Sequence, residues 1–593
     1  MKPILVYDGD CGFCKKWIDR WNEITQDAVD YAPYQSIQNQ FPQISLKEFQ
    51  SAVQLVEPNG AISSGAEAVF RTLSYSKRHR WLLEFYLKFP SVKPIADVFY
   101  KLVATHRSFF SKLTKWFWGE SIQTPSFTLS KIIFIRFLAV IYLIAFLSFA
   151  TQVIGLIGKD GILPVEGTLQ TVKSQLGLSR YWWFPTLCWL NSTDWFLYLI
   201  CGAGALLSVA LFFLVTPTAT LFLLWILYLS IVTTGREFMS FQWDVLLLET
   251  GFLAIFIQSS KWARIALKWL LFRLMFSSGM VKLASGDLAW RNLTALSFHY
   301  ETQPLPPWTA WHMHQLPLWF HQLSTVMMFA IELILPFLLF FPRKLRHFAA
   351  FGIIFLMAVV VVTGNYCFFN WLTIALAILI IDDSLWHRWF RKSVEVSESK
   401  AQNRNFWNRF VATPICVFLI LLSLVPMARL TFRARMPEVL MKVYALVNPF
   451  NLVNHYGLFA VMTKERPEII IEGSEDGQNW KAYEFKYKIG DVIRRPKFVA
   501  PHQPRLDWQM WFAALGTYRE NPWLVNLCIR LLEGELKVLR LIEANPFPEK
   551  PPIFIRAVLY QYHFSDEPLK RESGVWWRRD YKGIYLPELS LKR

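Results

Sequence analysis

Between Lys131 and Met427 the chain carries about nine strongly apolar runs, near residues 132–156, 195–215, 219–234, 243–258, 265–283, 323–341, 348–364, 367–381 and 410–428. A helix that crosses a bilayer needs roughly 20 apolar residues, because the hydrocarbon core is about 30 Å thick and a helix rises about 1.5 Å per residue. Runs this long and this frequent cannot share one soluble core, so the expectation is a polytopic α-helical bundle with a polar segment at each end. The third and eighth runs are short and admit a re-entrant path as well as a crossing. The expected fold class is therefore multidomain: an α/β domain over 1–118, a membrane bundle of about nine spans over 125–430, and a β-rich α+β domain over 436–593.

At 54% hydrophobic residues the chain exceeds the roughly 45–50% apolar share of soluble proteins. Its net charge of +18 is read as topological, because basic residues collect in cytoplasmic loops and beside anionic headgroups; nucleic acid is not an expected partner. Lys77, Arg78, Arg80, Lys88, Lys93, Lys101, Arg107, Lys112, Lys115 and Lys131 precede the first run or open it, which places the N-terminus in the cytoplasm. An alternating count puts three further basic segments on that side: Lys261–Lys268, Arg343–Arg346, and the loop with Arg388, Arg391, Lys392, Lys400, Arg404 and Arg409. Segments 157–194, 235–242, 284–322 and 365–366, on the other side, carry few Lys or Arg for their length. An odd number of crossings then sends the C-terminal segment outside. The start, Met1–Asp8, has only a four-residue apolar stretch before an acidic turn, so no secretory signal peptide is expected. Residues 81–118 interleave aromatic residues with lysines, which suits helices lying on the inner leaflet and equally a helical subdomain packed on the N-terminal fold.

Of seven cysteines only Cys11 and Cys14 are close in sequence, so a structural disulfide framework is not indicated. Cys201 and Cys416, inside apolar runs, read as small buried hydrophobes. Ile4–Tyr7 reads as a buried strand, Asp8-Gly9-Asp10 as a turn, and Gly12–Trp21 as the opening of a helix. Free N–H groups at the helix start favour a thiolate at Cys11, the attacking sulfur, while Cys14, one turn in, resolves the mixed disulfide. Asp8 and Asp10 oppose this, since nearby carboxylates disfavour a thiolate. Ala52–Val56, the Asn59-Gly60 turn and Ala61–Ser64 read as a hairpin, and Gly65–Leu73 as a closing helix. The alternatives are half a zinc site, without a second CxxC or a nearby His pair, and an inert reduced pair.

Asp8-x-x-Cys11-x-x-Cys14, with the hairpin and the Gly65-Ala66-Glu67-Ala68 helix start, resembles the DCC family of thiol-disulfide oxidoreductases over roughly residues 1–115. The resemblance implies a thioredoxin-like domain with Cys11, Cys14 and Asp8 as its catalytic residues. No proline precedes the Val53 strand, where thioredoxins place one beside the thiols.

Ionisable residues inside apolar runs are costly and therefore informative. Asp244, Glu249, Arg273, Lys282, Asp287 and Glu332 form such a set, readable as a polar cavity for a small ligand or proton path, or as pairs that fix the bundle. The 284–322 loop adds His299, His312, His314 and His321 among Trp308, Trp311 and Trp319, read as an aromatic interfacial loop, with no metal site assigned.

Beyond Met436, Glu468–Ser474, a Glu475-Asp476-Gly477 turn and Trp480–Tyr487 form a hairpin, with helices near Trp508–Leu515, Pro522–Leu532 and Glu535–Ala544 and a strand at Phe554–Phe564. The segments "YGLFAVMTKERPEIIIEGSEDGQNW" and "NPFPEKPPIFIRAVLYQYHF", with "SFQWDVLLLETGF" and "SSGMVKLASGDLAWRNLTALSFHYETQPLP" in the core, resemble the lipase maturation factor family across most of 125–593. The resemblance implies a folding factor for exported lipases or other secreted proteins, and not a lipase; no Gly-x-Ser-x-Gly elbow is present. A fused thiol domain and no signal peptide imply a bacterial member, multi-pass in the inner membrane, with the C-terminal domain periplasmic. Arg494, Arg495, His502, Arg505, Asp507, Trp508 and Trp511 are candidates for a client-binding face. Implied partners are an exported lipase-like client, a thiol redox partner and membrane lipid. The competing function is a membrane redox enzyme distantly similar to vitamin K-dependent carboxylases, in which the thiols feed electrons to a quinone or lipid site in the core and Lys282 acts as a base. Cys188 and Cys367, near the outer side, are candidates for a thiol relay.

Overall fold

A computed structural model describes residues 2–119, 122–389 and 407–591, so Arg391, Lys392, Lys400 and Arg404 of the basic loop lie outside the described residues. The chain packs as two compact units. One holds residues up to Ser126 with Phe341–His347 and Asp382–Ser384; the other holds Phe127–Phe340, Phe348–Ile381 and everything from Leu385 onward.

In the first unit β1 (Ile4–Tyr7) is the second strand of a four-stranded sheet with β2 (Asp30–Pro33), β3 (Gln54–Val56) and β4 (Ile62–Ser64), ordered β2-β1-β3-β4. β1 runs parallel to β2 and antiparallel to β3, and Leu5, Val6 and Leu55 are fully buried, which is why β1 reads as an unbroken apolar run. The hairpin closes through Gly60 at φ +83°, a conformation that costs glycine no side-chain clash, and the helix Gly65–Ser74 follows as expected. β2 is an addition to the sequence reading.

Six of the described helices, all in the second unit but for the first turn of Arg343–Thr363, are long and apolar enough to cross a membrane: Thr128–Ala150, Asp194–Phe212, Pro217–Met239, Leu318–Leu338, Arg343–Thr363 and Phe410–Arg429. The expected nine are reduced to six by this measure. The third run, read as short, is a full-length helix; the others fall short for separate reasons. Gln242–Ile255 and Phe369–Ile378 have 14 and 10 residues, and Lys261–Ala284, though 24 residues long, carries five basic side chains. Leu318–Leu338 contains a wide turn at Ala330–Ile334, closed by Leu335 N–H donating to the Ala330 carbonyl, just before Pro336.

Helix ends in this unit gather into two sets. Ser130 Oγ donates to the Ile381 carbonyl, Trp386 Nε1 to Ser130 Oγ at 2.9 Å, and Arg264 stacks over Phe127 at 3.8 Å. The opposite ends meet the C-terminal segment. Gln503 N–H donates to Ser148 Oγ at 2.9 Å, Lys537 pairs with Asp160 and Asp194 at 2.9 and 3.0 Å, and Asn365 Nδ2 donates to the Lys497 carbonyl at 2.9 Å. The C-terminal segment forms a sheet ordered β10-β9-β5-β6 from β5 (Arg466–Ser474), β6 (Lys481–Ala482), β9 (Phe554–Phe564) and β10 (Trp577–Leu589), and a two-stranded sheet from β7 (Glu484–Phe485) and β8 (Ile542–Ala544).

Candidate functional site

Cys11 is the N-cap of the helix Gly12–Thr25, and its Sγ accepts the Cys14 N–H at 3.2 Å, the role a serine or aspartate oxygen usually fills. Both thiols are free and part-exposed, and the Cys14 thiol donates to Cys11 Sγ at 2.6 Å. Burial, then this hydrogen bond, pushes the Cys14 thiol up to about 12, so near neutrality Cys14 keeps its proton. Asp8 is held by partners of its own, and its charge adds to the rise at Cys14. Its Oδ1 accepts Asp10 N–H and Gln35 Nε2, each at 3.1 Å, and its Oδ2 faces Arg107 at 3.3 Å. Arg107 also donates to the Gln50 and Ser51 carbonyls at 2.9 Å, and its charge opposes the rise at Cys14. In the sequence Arg107 stands only as a topological charge; its place beside the thiols, 99 residues from Asp8, carries no local signal.

Where thioredoxins have the proline, Val53 N–H donates to Tyr100 Oη at 2.9 Å. Tyr100 lies on Val92–Thr105, which with Arg107–Trp118 packs on the thiol fold and closes a cavity of about 530 Å³ beside Cys14, walled by Phe13, Trp17, Phe99 and Phe110. Helices of 81–118 thus pack on the thiol fold, while Trp81, Phe109 and Trp116 remain exposed on them.

The two sets of polar candidates elsewhere merge. Arg505 is fully buried and donates from both terminal nitrogens to Asp244 at 2.8 Å, while Tyr228 Oη donates to the same carboxylate. Glu249 pairs with Arg273 and accepts Asn454 N–H at 3.0 Å and Tyr456 Oη at 2.7 Å. Asp287 caps the helix Leu288–Arg291 and accepts Met462 N–H at 2.6 Å. Lys282 donates to both oxygens of Glu332 at 2.7 Å. Three of these four clusters reach residues of the C-terminal segment.

This corrects the client-binding face. Arg505, Asp507, Trp508 and Trp511 are buried: Asp507 accepts Tyr487 and Lys488 N–H at 2.8 Å, Trp508 packs edge-on against Trp243 at 4.8 Å, and Trp511 Nε1 donates to the Thr302 carbonyl at 3.0 Å. His502 is half-buried against Ser148 Oγ at 2.9 Å, and burial, then Arg505, lowers its imidazole to about 4. Arg494 is half-buried, bonded to the Phe485 and Lys486 carbonyls; Arg495 alone is exposed, 4.6 Å over Trp308. The 284–322 loop is likewise more than interfacial, since Trp311 is buried and donates to the Ser565 carbonyl at 2.9 Å. Among the described residues no group of three or more His, Cys, Asp or Glu side chains is arranged to hold a metal. Cys188, Cys201, Cys367, Cys416 and Cys528 are all buried and free.

Fold and site together define a multi-pass membrane protein with a thiol-disulfide oxidoreductase-like domain. The lipase maturation factor transmembrane domain matches residues 129–388, its C-terminal domain 452–587, and the DCC1-like thiol-disulfide oxidoreductase 5–113. Similar curated proteins include lipase maturation factor 2 of Gallus gallus, 35% identical over 77% of this chain and 81% of its own length. Lipase maturation factor 1 of Homo sapiens is 36% identical over 79% of this chain and 89% of its own. The chain belongs to the lipase maturation factor family. No solved structure matches it.

Proposed function

We propose that this protein is a maturation factor, seated in a bacterial inner membrane, for exported lipases or other secreted proteins, and that its N-terminal dithiol exchanges electrons with a cytoplasmic redox partner. Kinship with proteins named for lipase maturation supports the first part. The observation that carries the second is Cys11 at the helix start, accepting hydrogen bonds from both the Cys14 thiol and the Cys14 backbone, with Arg107 alongside.

The topology in this proposal is nine crossings, with the C-terminal segment in the periplasm. The grouping of helix ends supports it: the ends at Ser148, Asp194, Asp244, Asp287 and Asn365, which alternate along the chain, all meet the C-terminal segment. Such alternation requires Gln242–Ile255, Lys261–Ala284 and Phe369–Ile378 to carry the chain across with their flanking turns. The exposed aromatics of 81–118 beside lysines suit contact with the inner leaflet. Cytoplasmic thiols are kept reduced, so direct oxidation of an exported client is not expected of them. The test is client activity in cells carrying the Cys11→Ser or Cys14→Ser protein: a drop toward the level of cells lacking the protein supports the redox role, and unchanged activity rejects it.

A further inference from the structure

A second cavity, of about 410 Å³, lies within the larger unit between Lys261–Ala284, Leu318–Leu338, Arg343–Thr363 and the start of Phe369–Ile378. Its mouth opens between the two spans with the least protein around them: 17% and 22% of their most apolar windows are buried, against 56% for Thr128–Ala150. Leu323, Met327 and Phe355 at that mouth are about half exposed, so in a membrane they meet lipid, and a ligand reaches the cavity sideways from the bilayer. Its walls are adaptable, with Met275, Met313, Met327 and Met328 among them.

The inner end is polar. Lys282 and Glu332 neutralise each other at 2.7 Å, and the wide turn at Ala330–Ile334 sits where Glu332 meets Lys282. His299 Nε2 and Tyr366 Oη lie 3.2 Å apart, and burial, then Lys282, lowers the imidazole to about 4 and keeps it neutral. Asn370 is 1% exposed, lines the cavity, and its Oδ1 has no hydrogen-bond partner. A buried acceptor left unpaired costs free energy that a ligand donor recovers. Since the only cation lining the cavity already has its carboxylate, an anionic headgroup would be buried without a counter-charge.

We infer that this cavity binds a neutral membrane lipid through a free hydroxyl donated to Asn370, with its apolar tail leaving between the spans at Leu323 and Phe355. A hydroxyl on an apolar body is common to diacylglycerols and reduced isoprenoid quinones, and the test separates them. Full-length protein in detergent is offered dioleoylglycerol, its methyl ether, ubiquinol, ubiquinone and dioleoylphosphatidylglycerol, and retained lipid is weighed by native mass spectrometry. The expected result is retention of dioleoylglycerol or ubiquinol about tenfold above its partner lacking the hydroxyl, with the retained one naming the source. Asn370→Leu should remove that preference. Met327→Trp, at the exposed mouth where misfolding is not at issue, should reduce all retention. Equal retention of alcohol and ether and of quinol and quinone, preference for phosphatidylglycerol, or wild-type behaviour of Met327→Trp would overturn the inference.

Discussion

The thiol site and the seam around Asp244 both gather ionisable groups, part-exposed at the first and buried at the second, and they do opposite things with them. At the seam every charge is answered: Arg505 meets Asp244 through two hydrogen bonds while Tyr228 takes a third, leaving a clamp with nothing to react. At the thiols the answer is incomplete, with Cys14 pushed up to about 12 and Arg107 shared among Asp8 and two carbonyls. Burial becomes reactivity only where a group is left poised between partners.

The largest effect that would break this contrast is at the thiols. Cys11→Ser should abolish thiol-disulfide exchange, whereas Cys14→Ser should attack but not resolve, leaving a mixed disulfide visible on a non-reducing gel. Next in size is the clamp. Arg505→Met strands a buried carboxylate and should cost about 3–5 kcal/mol, read as a lowered melting temperature in detergent, while adding Asp244→Leu should recover most of it. If the double variant melts as low as the single one, the pair is not the clamp. A smaller change comes from Arg107→Leu. Its cation opposes the rise at Cys14, so its loss should move the alkylation profile of Cys14 to still higher pH, with about 1–2 kcal/mol of stability lost along with its hydrogen bonds.

The smallest concerns His502, at the edge of the seam. Its imidazole is lowered from 6.5 to about 4, so the folded state favours the neutral form. The stability this gives is present above pH 6.5 and is lost as the pH falls toward 4. His502→Gln should flatten that part of the acid melting profile, and an unchanged slope would assign the loss to other groups.

What the sequence made legible was local. Strand, turn, CxxC and helix lie within about 25 residues, the Asn59-Gly60 turn announces its own hairpin, and hydropathy finds the long helices. What it hid was partnership at a distance. Asp244 and Arg505 were read into separate sites, one in the membrane core and one on a docking face, because 261 residues part them and nothing local marks an arginine as buried. Trp508 and Trp511 misled in the same way, since an aromatic cluster beside charges reads alike whether it faces a partner or its own chain. β2, four residues ending in Pro33, is too short for period-2 alternation to stand out.

In the proposed topology the dithiol and the C-terminal segment occupy opposite sides of one membrane. The direct test uses right-side-out vesicles, a membrane-impermeant maleimide, and a protein carrying Ser573→Cys on the exposed helix Glu567–Ser573. Labelling at position 573 in intact vesicles, with Cys11 labelled only after permeabilisation, is the predicted result. Labelling of both in intact vesicles, or of neither, would contradict it.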